Sequence, residues 1–190
     1  NGIRHIKYTC GMAILYSPFF AVAHISADSL GAPANGYSWP YKIAIIISSI
    51  VFLLIGLIYV SKILLLYFSD RITSLSLLTV FLGTNVYHFY TYHSAMSHGY
   101  SLAIIAIFLY YTIRWLQEPK LSTSVIIGFC AGFMTLIRPV DIIFLLALPL
   151  FNISSFSDLK VRFNLFFQNK LLIVVMIFFF IVALSPQLFY

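Results

Sequence analysis

Between Lys42 and Lys62 the chain runs nineteen residues without a charge, "IAIIISSIVFLLIGLIYVS", and the apolar stretch continues to Phe68. About 20 such residues wound into a helix reach across the hydrocarbon core of a bilayer. Hydrophobic residues make up 62% of the chain and charged residues 8%, with a mean hydropathy of +1.00. A soluble domain carries about 25% charged residues, so this chain could not cover its own surface in water. In lipid the backbone must satisfy its own hydrogen bonds, which favours helices. The apolar runs are continuous rather than alternating, and that excludes a β-barrel. The expected class is therefore all-α, a polytopic transmembrane helix bundle.

Charge adds little to the class. The formal net charge is +6, but the eleven Lys and Arg are scattered and form no basic stripe, which argues against nucleic acid as a partner. Cys10 and Cys130 lie in separate apolar stretches, which argues against a disulfide. The chain opens at Asn1 without an initiator Met and closes on "SPQLFY" as a span finishes. It is expected to be an internal piece of a longer protein, with residues 1–190 forming one transmembrane domain.

Turn-forming residues and charges divide that domain. Tyr8–Ile25 is apolar, interrupted by Gly11 and Pro18, and Ser26–Tyr41 is a turn-rich loop. Lys42–Phe68 is the cleanest span, and Asp70 in the "SDR" turn is expected to cap the helix that follows. Ile72–Tyr90 and Tyr100–Leu116 are the next spans. Ser122–Phe151 is broken by "RPVD" into two shorter helices, Asn152–Lys170 is a polar, partly amphipathic connector, and Leu171–Leu188 is a final span. "GFCAG", Gly128–Gly132, carries small residues four apart and reads as close helix packing.

Orientation follows from the basic residues. With the Ser69–Arg71 turn in the cytoplasm, that side holds Lys62, Arg71, Arg114, Lys120, Lys160, Arg162 and Lys170, against Arg4, Lys7, Lys42 and Arg138 outside. Seven against four favours this arrangement. Residues 1–41 then form an outer-face helix and loop, with Tyr8–Ile25 along the interface, and 42–190 the spans. A crossing by the first helix is the alternative.

Several costly residues share the outer side, namely Lys7, His24, Asp28, His93, His98, Arg138 and Asp141. Ionisable groups near the apolar zone tend to mark substrate or ion pathways. Pro139 should stop or kink its helix, and the Arg138 fork suits a phosphate. A plain Arg138–Asp141 pair is equally open. His93 and His98 are five apart, about 140° around a helix, which is not a helical metal pair. They read either as the polar rim of a cavity or as members of an interfacial aromatic belt with Tyr87, Tyr90, Tyr92 and Tyr100. No metal site is assigned, and use of a divalent metal stays open.

The order of these features resembles a known family. "KYTCGMAILYSPFF", the short "FSDR" turn, "SAMSHGYSLAIIAIFLYY" and "IIGFCAGFMTLIRP" are similar in order and spacing to membrane glycosyltransferases of the GT-C fold. The nearest group is that of the protein mannosyltransferases and lipid A aminoarabinose transferases, in a branch typical of Bacteroidetes-like bacteria. The resemblance covers roughly Lys7 to Phe151. It implies a GT-C-like bundle in a bacterial inner membrane. The implied activity is transfer of a sugar from a polyprenyl-phosphate carrier to a lipid, glycan or protein acceptor on the outer face. By position Lys7 matches the family's Lys-Pro-Pro basic residue, although Tyr8 and Thr9 replace the prolines. Arg138 matches the basic residue of Thr-Lys-Gly-Pro and would hold the carrier phosphate. His98 falls near an Asp-led helix start, an imidazole in place of a carboxylate. The catalytic Asp is expected upstream of Asn1, and His93 and Asp141 are rim candidates.

Two other classes compete with this one. A transporter or flippase of a lipid-linked sugar would use the "RPVD" break as a midplane site, but the sequence shows no second broken segment to match it. A non-catalytic assembly subunit is the third reading.

Overall fold

Backbone groups that cannot reach water close on themselves. In the computed structural model, which describes residues 9–189, every regular element is a helix. These residues form two compact units, Gly11–Ala103 and residues 9–10 with 104–189.

The first unit opens with α1 (Gly11–Ala27), which runs unbroken through Pro18. Proline removes one donor from the helical ladder. The carbonyl it leaves, that of Ile14, accepts from the Ser17 hydroxyl at 2.8 Å, so the expected interruption does not occur. A 3-10 turn, Asp28–Leu30, ends at Gly31 with φ 68°, a left-handed angle that glycine adopts without strain. The Asn35 side chain then accepts from the Tyr37 and Ser38 amides and aims the chain into α2 (Trp39–Leu64). This helix starts three residues before Lys42, because Pro40 in its first turn supplies a preset φ and needs no donor there. α1 packs on the start of α2 through Ala23, Ala27, Tyr41 and Ala44, with Phe19 beside them. His24 Nδ1 meets the Tyr41 hydroxyl at 2.6 Å, so this histidine serves helix packing.

α3 (Asp70–Gly83) begins one residue earlier than a cap at Asp70 requires. Ser69 takes the extended capping position, and Asp70 sits in the first turn, where the helix dipole favours a carboxylate. The expected continuous span Ile72–Tyr90 is also corrected. It is α3 and α4 (Asn85–Thr91), bent by 62°. At the break Thr84 is extended, its hydroxyl accepts from the Val86 amide at 3.3 Å and donates to the Val80 carbonyl at 2.6 Å. The Gly-Thr-Asn sequence is a stop followed by a cap. α5 (Ser97–Gln117) then starts in this unit and continues into the second.

The second unit is organised by two glycines of α6 (Leu121–Ile137). A Cβ on Gly128 would collide with the backbone of Met176, and one on Gly132 would lie 2.5 Å from the Phe180 carbonyl oxygen. A four-residue step on α6 thus matches a four-residue step on α9 (Lys170–Leu184), so the two helices run parallel. Parallel neighbours need a return. It is made by a 3-10 segment, Pro139–Leu146, with α7 (Ala147–Leu150), after which α8 (Phe156–Gln168) leads into α9. The second half of the broken run is therefore mostly 3-10 helix rather than the short α-helix expected. Arg162 on α8 donates to the Leu148 and Phe151 carbonyls, each at 3.0 Å, and so satisfies the end of α7. Trp115 is fully buried, with its indole N–H on Ser124 at 2.8 Å and its ring 5.9 Å from Phe166. α9 stops before Ser185 and α10 (Pro186–Phe189) follows.

Three helical stretches, Gly11–Leu30, Trp39–Leu64 and Ser97–Gln117, are long and apolar enough to cross a membrane, and up to five spans result if each bent pair counts as one. A multi-pass helical membrane protein follows at that level.

Two stability predictions arise. Gly132→Leu must push α9 off α6 against backbone, and should cost about 3 kcal/mol, the upper end for overpacking, read as a fall in the thermal midpoint in detergent. At the α8 start, Ser155 and Asp158 form a reciprocal capping box. The amides of Ser154 and Ser155 hold the Asp158 carboxyl below its usual range. Because the folded value is depressed, this stabilisation is present above the unfolded value and is lost as pH falls through the folded one. Exchange protection of the Ser154 and Ser155 amides should therefore drop on acidification, and Asp158→Asn should abolish that pH dependence.

Candidate functional site

The stretch Tyr90–Ser101 joins α4 to α5, and the structure separates its polar groups into two kinds. Some fasten the turn. The Tyr90 hydroxyl donates to the Gly99 carbonyl at 2.7 Å, and its ring lies so close that a Cβ on Gly99 would sit 2.7 Å from it. The Tyr16 hydroxyl donates to the Ala95 carbonyl at 2.6 Å. Tyr100 is fully buried, with its hydroxyl 2.6 Å from Ser48 Oγ and its ring against Tyr16 and Phe52. A buried hydroxyl requires such a partner, so these tyrosines belong to the scaffold.

The histidines are the other kind. His88, His93 and His98 are exposed. His98 stacks on Phe89 with ring centroids 4.6 Å apart and lines a cavity of about 320 Å³ with Thr84, Asn85, Val86, Tyr90 and Leu102. That cavity lies at the α3–α4 break, where a bent backbone brings an amide and a hydroxyl side chain beside an imidazole. These groups can donate to and accept from a polar ligand. His93 does not line it. Its ring is 4.9 Å from that of His88, a partner the sequence reading passed over. On one helix residues five apart diverge, but α4 ends at Thr91, so His93 lies beyond the helix and helical spacing no longer sets its angle to His88. Among the described residues no group of three or more His, Cys, Asp or Glu side chains is placed to hold a metal ion.

The second unit holds the other candidates. α6 ends at Ile137 and Arg138 is extended, φ −144° and ψ 111°, before Pro139. The stop expected at this proline is present, since the residue before a proline is driven out of the helical region. Arg138 Nη1 lies 3.9 Å from Asp141 Oδ1, with the guanidinium about one-third exposed and the carboxyl buried. Asp141 also donates its amide to the Arg138 carbonyl at 2.9 Å. The pairing reading of "RPVD" is thus realised. Asp141 Oδ2 is buried with no hydrogen-bond partner, which leaves acceptor capacity beside a guanidinium. The Thr9 hydroxyl donates to the Ile137 carbonyl at 3.3 Å, and the Cys10 amide to the Gln187 side chain at 3.0 Å. Lys7 lies outside the described residues. His98 belongs to the first unit and Arg138 to the second.

The tight Tyr90–Gly99 contact predicts that Gly99→Ala displaces the Tyr90 ring, and that Tyr90→Phe, by removing the hydroxyl's bond to the Gly99 carbonyl, costs about 0.5–1.5 kcal/mol. Hydrogen exchange across residues 91–98 should accelerate in both variants.

No family model matches the chain, and neither the curated proteins nor the solved structures contain a chain that matches it.

Proposed function

We propose that this chain is part of a membrane glycosyltransferase that moves a sugar from a polyprenyl-phosphate carrier to a lipid, glycan or protein acceptor on the outer face of a bacterial inner membrane. The proposal keeps the GT-C-like reading, with α1 along the outer face. The observation that carries it is the position of Arg138. The guanidinium projects from the broken end of α6, partly exposed, with a buried carboxyl beside it. Within its unit this end lies away from Trp115 and Arg162, which gather at the start of α6 and the end of α7. A cation at a helix end near the membrane face suits a phosphate leaving group, whose growing charge it would stabilise. Lys7 is assigned the same role, and His98 that of a neutral or protonated donor at the cavity rim.

A specific observation also favours the second reading. The transporter alternative was disfavoured for want of a second broken segment, and the 62° bend at Thr84 supplies one. Discontinuous helices are where transporters place polar ligands.

One experiment separates the two. In vesicles carrying the full-length protein, Arg138→Ala should lower transfer from a labelled polyprenyl-phosphate sugar by about 10²–10³-fold, the cost of losing one charge-stabilising donor. Unchanged transfer would reduce Arg138 to a partner of Asp141. Movement of the labelled lipid across the bilayer without any transfer would favour transport instead.

A further inference from the structure

The helix α8 divides its circumference into three sectors. One faces the protein, where Arg162 holds the α7 carbonyls and Phe166 meets Trp115. The outward side is split again. At about 100° per residue, Phe156, Phe163 and Phe167 fall within an arc of about 40°, and they are 85%, 53% and 76% exposed. Ser157, Lys160, Asn164 and Gln168, all exposed, occupy the neighbouring arc. Three phenylalanines in water would be costly, since each fully buried aromatic contributes about 1.5–3 kcal/mol. A spanning helix would not carry Lys160 and Asn164 beside them.

The direction of α8 completes the argument. It meets α9 at 81° across Asn169, and from Leu171 onward the chain has no charged residue. A helix nearly perpendicular to one that enters the apolar zone lies close to the membrane plane. We propose that α8 is an interfacial helix that rests on a phospholipid leaflet. Phe156, Phe163 and Phe167 enter the acyl boundary, and Lys160 and Lys170 stay at the level of the phosphates. Such helices bury their apolar face about 5–10 Å into the headgroup–acyl boundary. The capping box at Ser155 and the Arg162 bonds fix the rotation of α8, so the phenylalanine sector is presented to lipid before lipid binds. This assignment is independent of the transferase reading, and it makes α8 a surface element rather than the first half of a bent span.

Site-directed spin labelling tests it. Cys10 and Cys130 are both buried, so Phe156→Cys, Phe163→Cys and Phe167→Cys, with Ser157→Cys, Asn164→Cys and Gln168→Cys, give labelled full-length protein in vesicles of phosphatidylcholine and phosphatidylglycerol. At the three phenylalanine positions relaxation by dissolved oxygen should exceed that by a water-soluble nickel chelate severalfold, and the order should reverse at the other three. Oxygen preference at all six would overturn the proposal in favour of a spanning helix. Nickel preference at all six would overturn it in favour of a helix in water. Shielding of the phenylalanine positions from both reagents would overturn it in favour of a protein partner.

Discussion

The parallel contact between α6 and α9 is the constraint on which most of the second unit depends. Helices surrounded by lipid gain no hydrophobic energy by meeting each other, so association rests on close packing. Gly128 and Gly132 allow it, because their missing side chains are replaced by the backbone of Met176 and Phe180. Two parallel neighbours cannot be joined by a tight turn. The chain must come back along the membrane thickness first, and the 3-10 segment with α7 does so in the twelve residues Pro139–Leu150. That return puts the Arg138 break at one end of the unit. It also brings α8, with Arg162, to the end where Trp115 meets Ser124.

A second theme is how few polar groups the chain has and how many of them repair the backbone. Ser17 takes the carbonyl that Pro18 strands, Thr84 closes both sides of the 62° bend, and Arg162 takes two carbonyls at the end of α7. An unsatisfied backbone group away from water costs several kcal/mol, so these residues stand where the helices break. The exposed histidines and the Arg138–Asp141 pair set ionisable side chains beside two of these breaks, and they define the candidate sites for that reason, one at the α3–α4 break and one at the end of α6.

Much of this could be read along the chain. Charge scarcity and continuous apolar runs dictated helices and membrane residence, Pro139 announced the end of α6, and the glycine spacing in "GFCAG" announced a close contact. These are local signals whose physics acts within a turn or two of helix. Two features needed the folded chain. The stop at Thr84 lay hidden in a run that hydropathy treats as continuous, because a Gly-Thr-Asn cap barely changes the average. The meeting of His88 with His93 was passed over, because the reading of helical spacing considered only His93 and His98.

What the sequence by itself determined is the solvent this protein is built for and the helical state of its backbone, since both follow from composition and from the cost of unpaired amides in lipid. Only the tertiary structure decided which neighbours those helices choose. It alone showed that α6 and α9 are parallel, that Asp141 is buried against Arg138, and that Tyr90 and Tyr100 of the α4–α5 turn brace the scaffold while its histidines face outward. Pairing of that kind is set by contacts between residues far apart in the chain, and no local pattern records it.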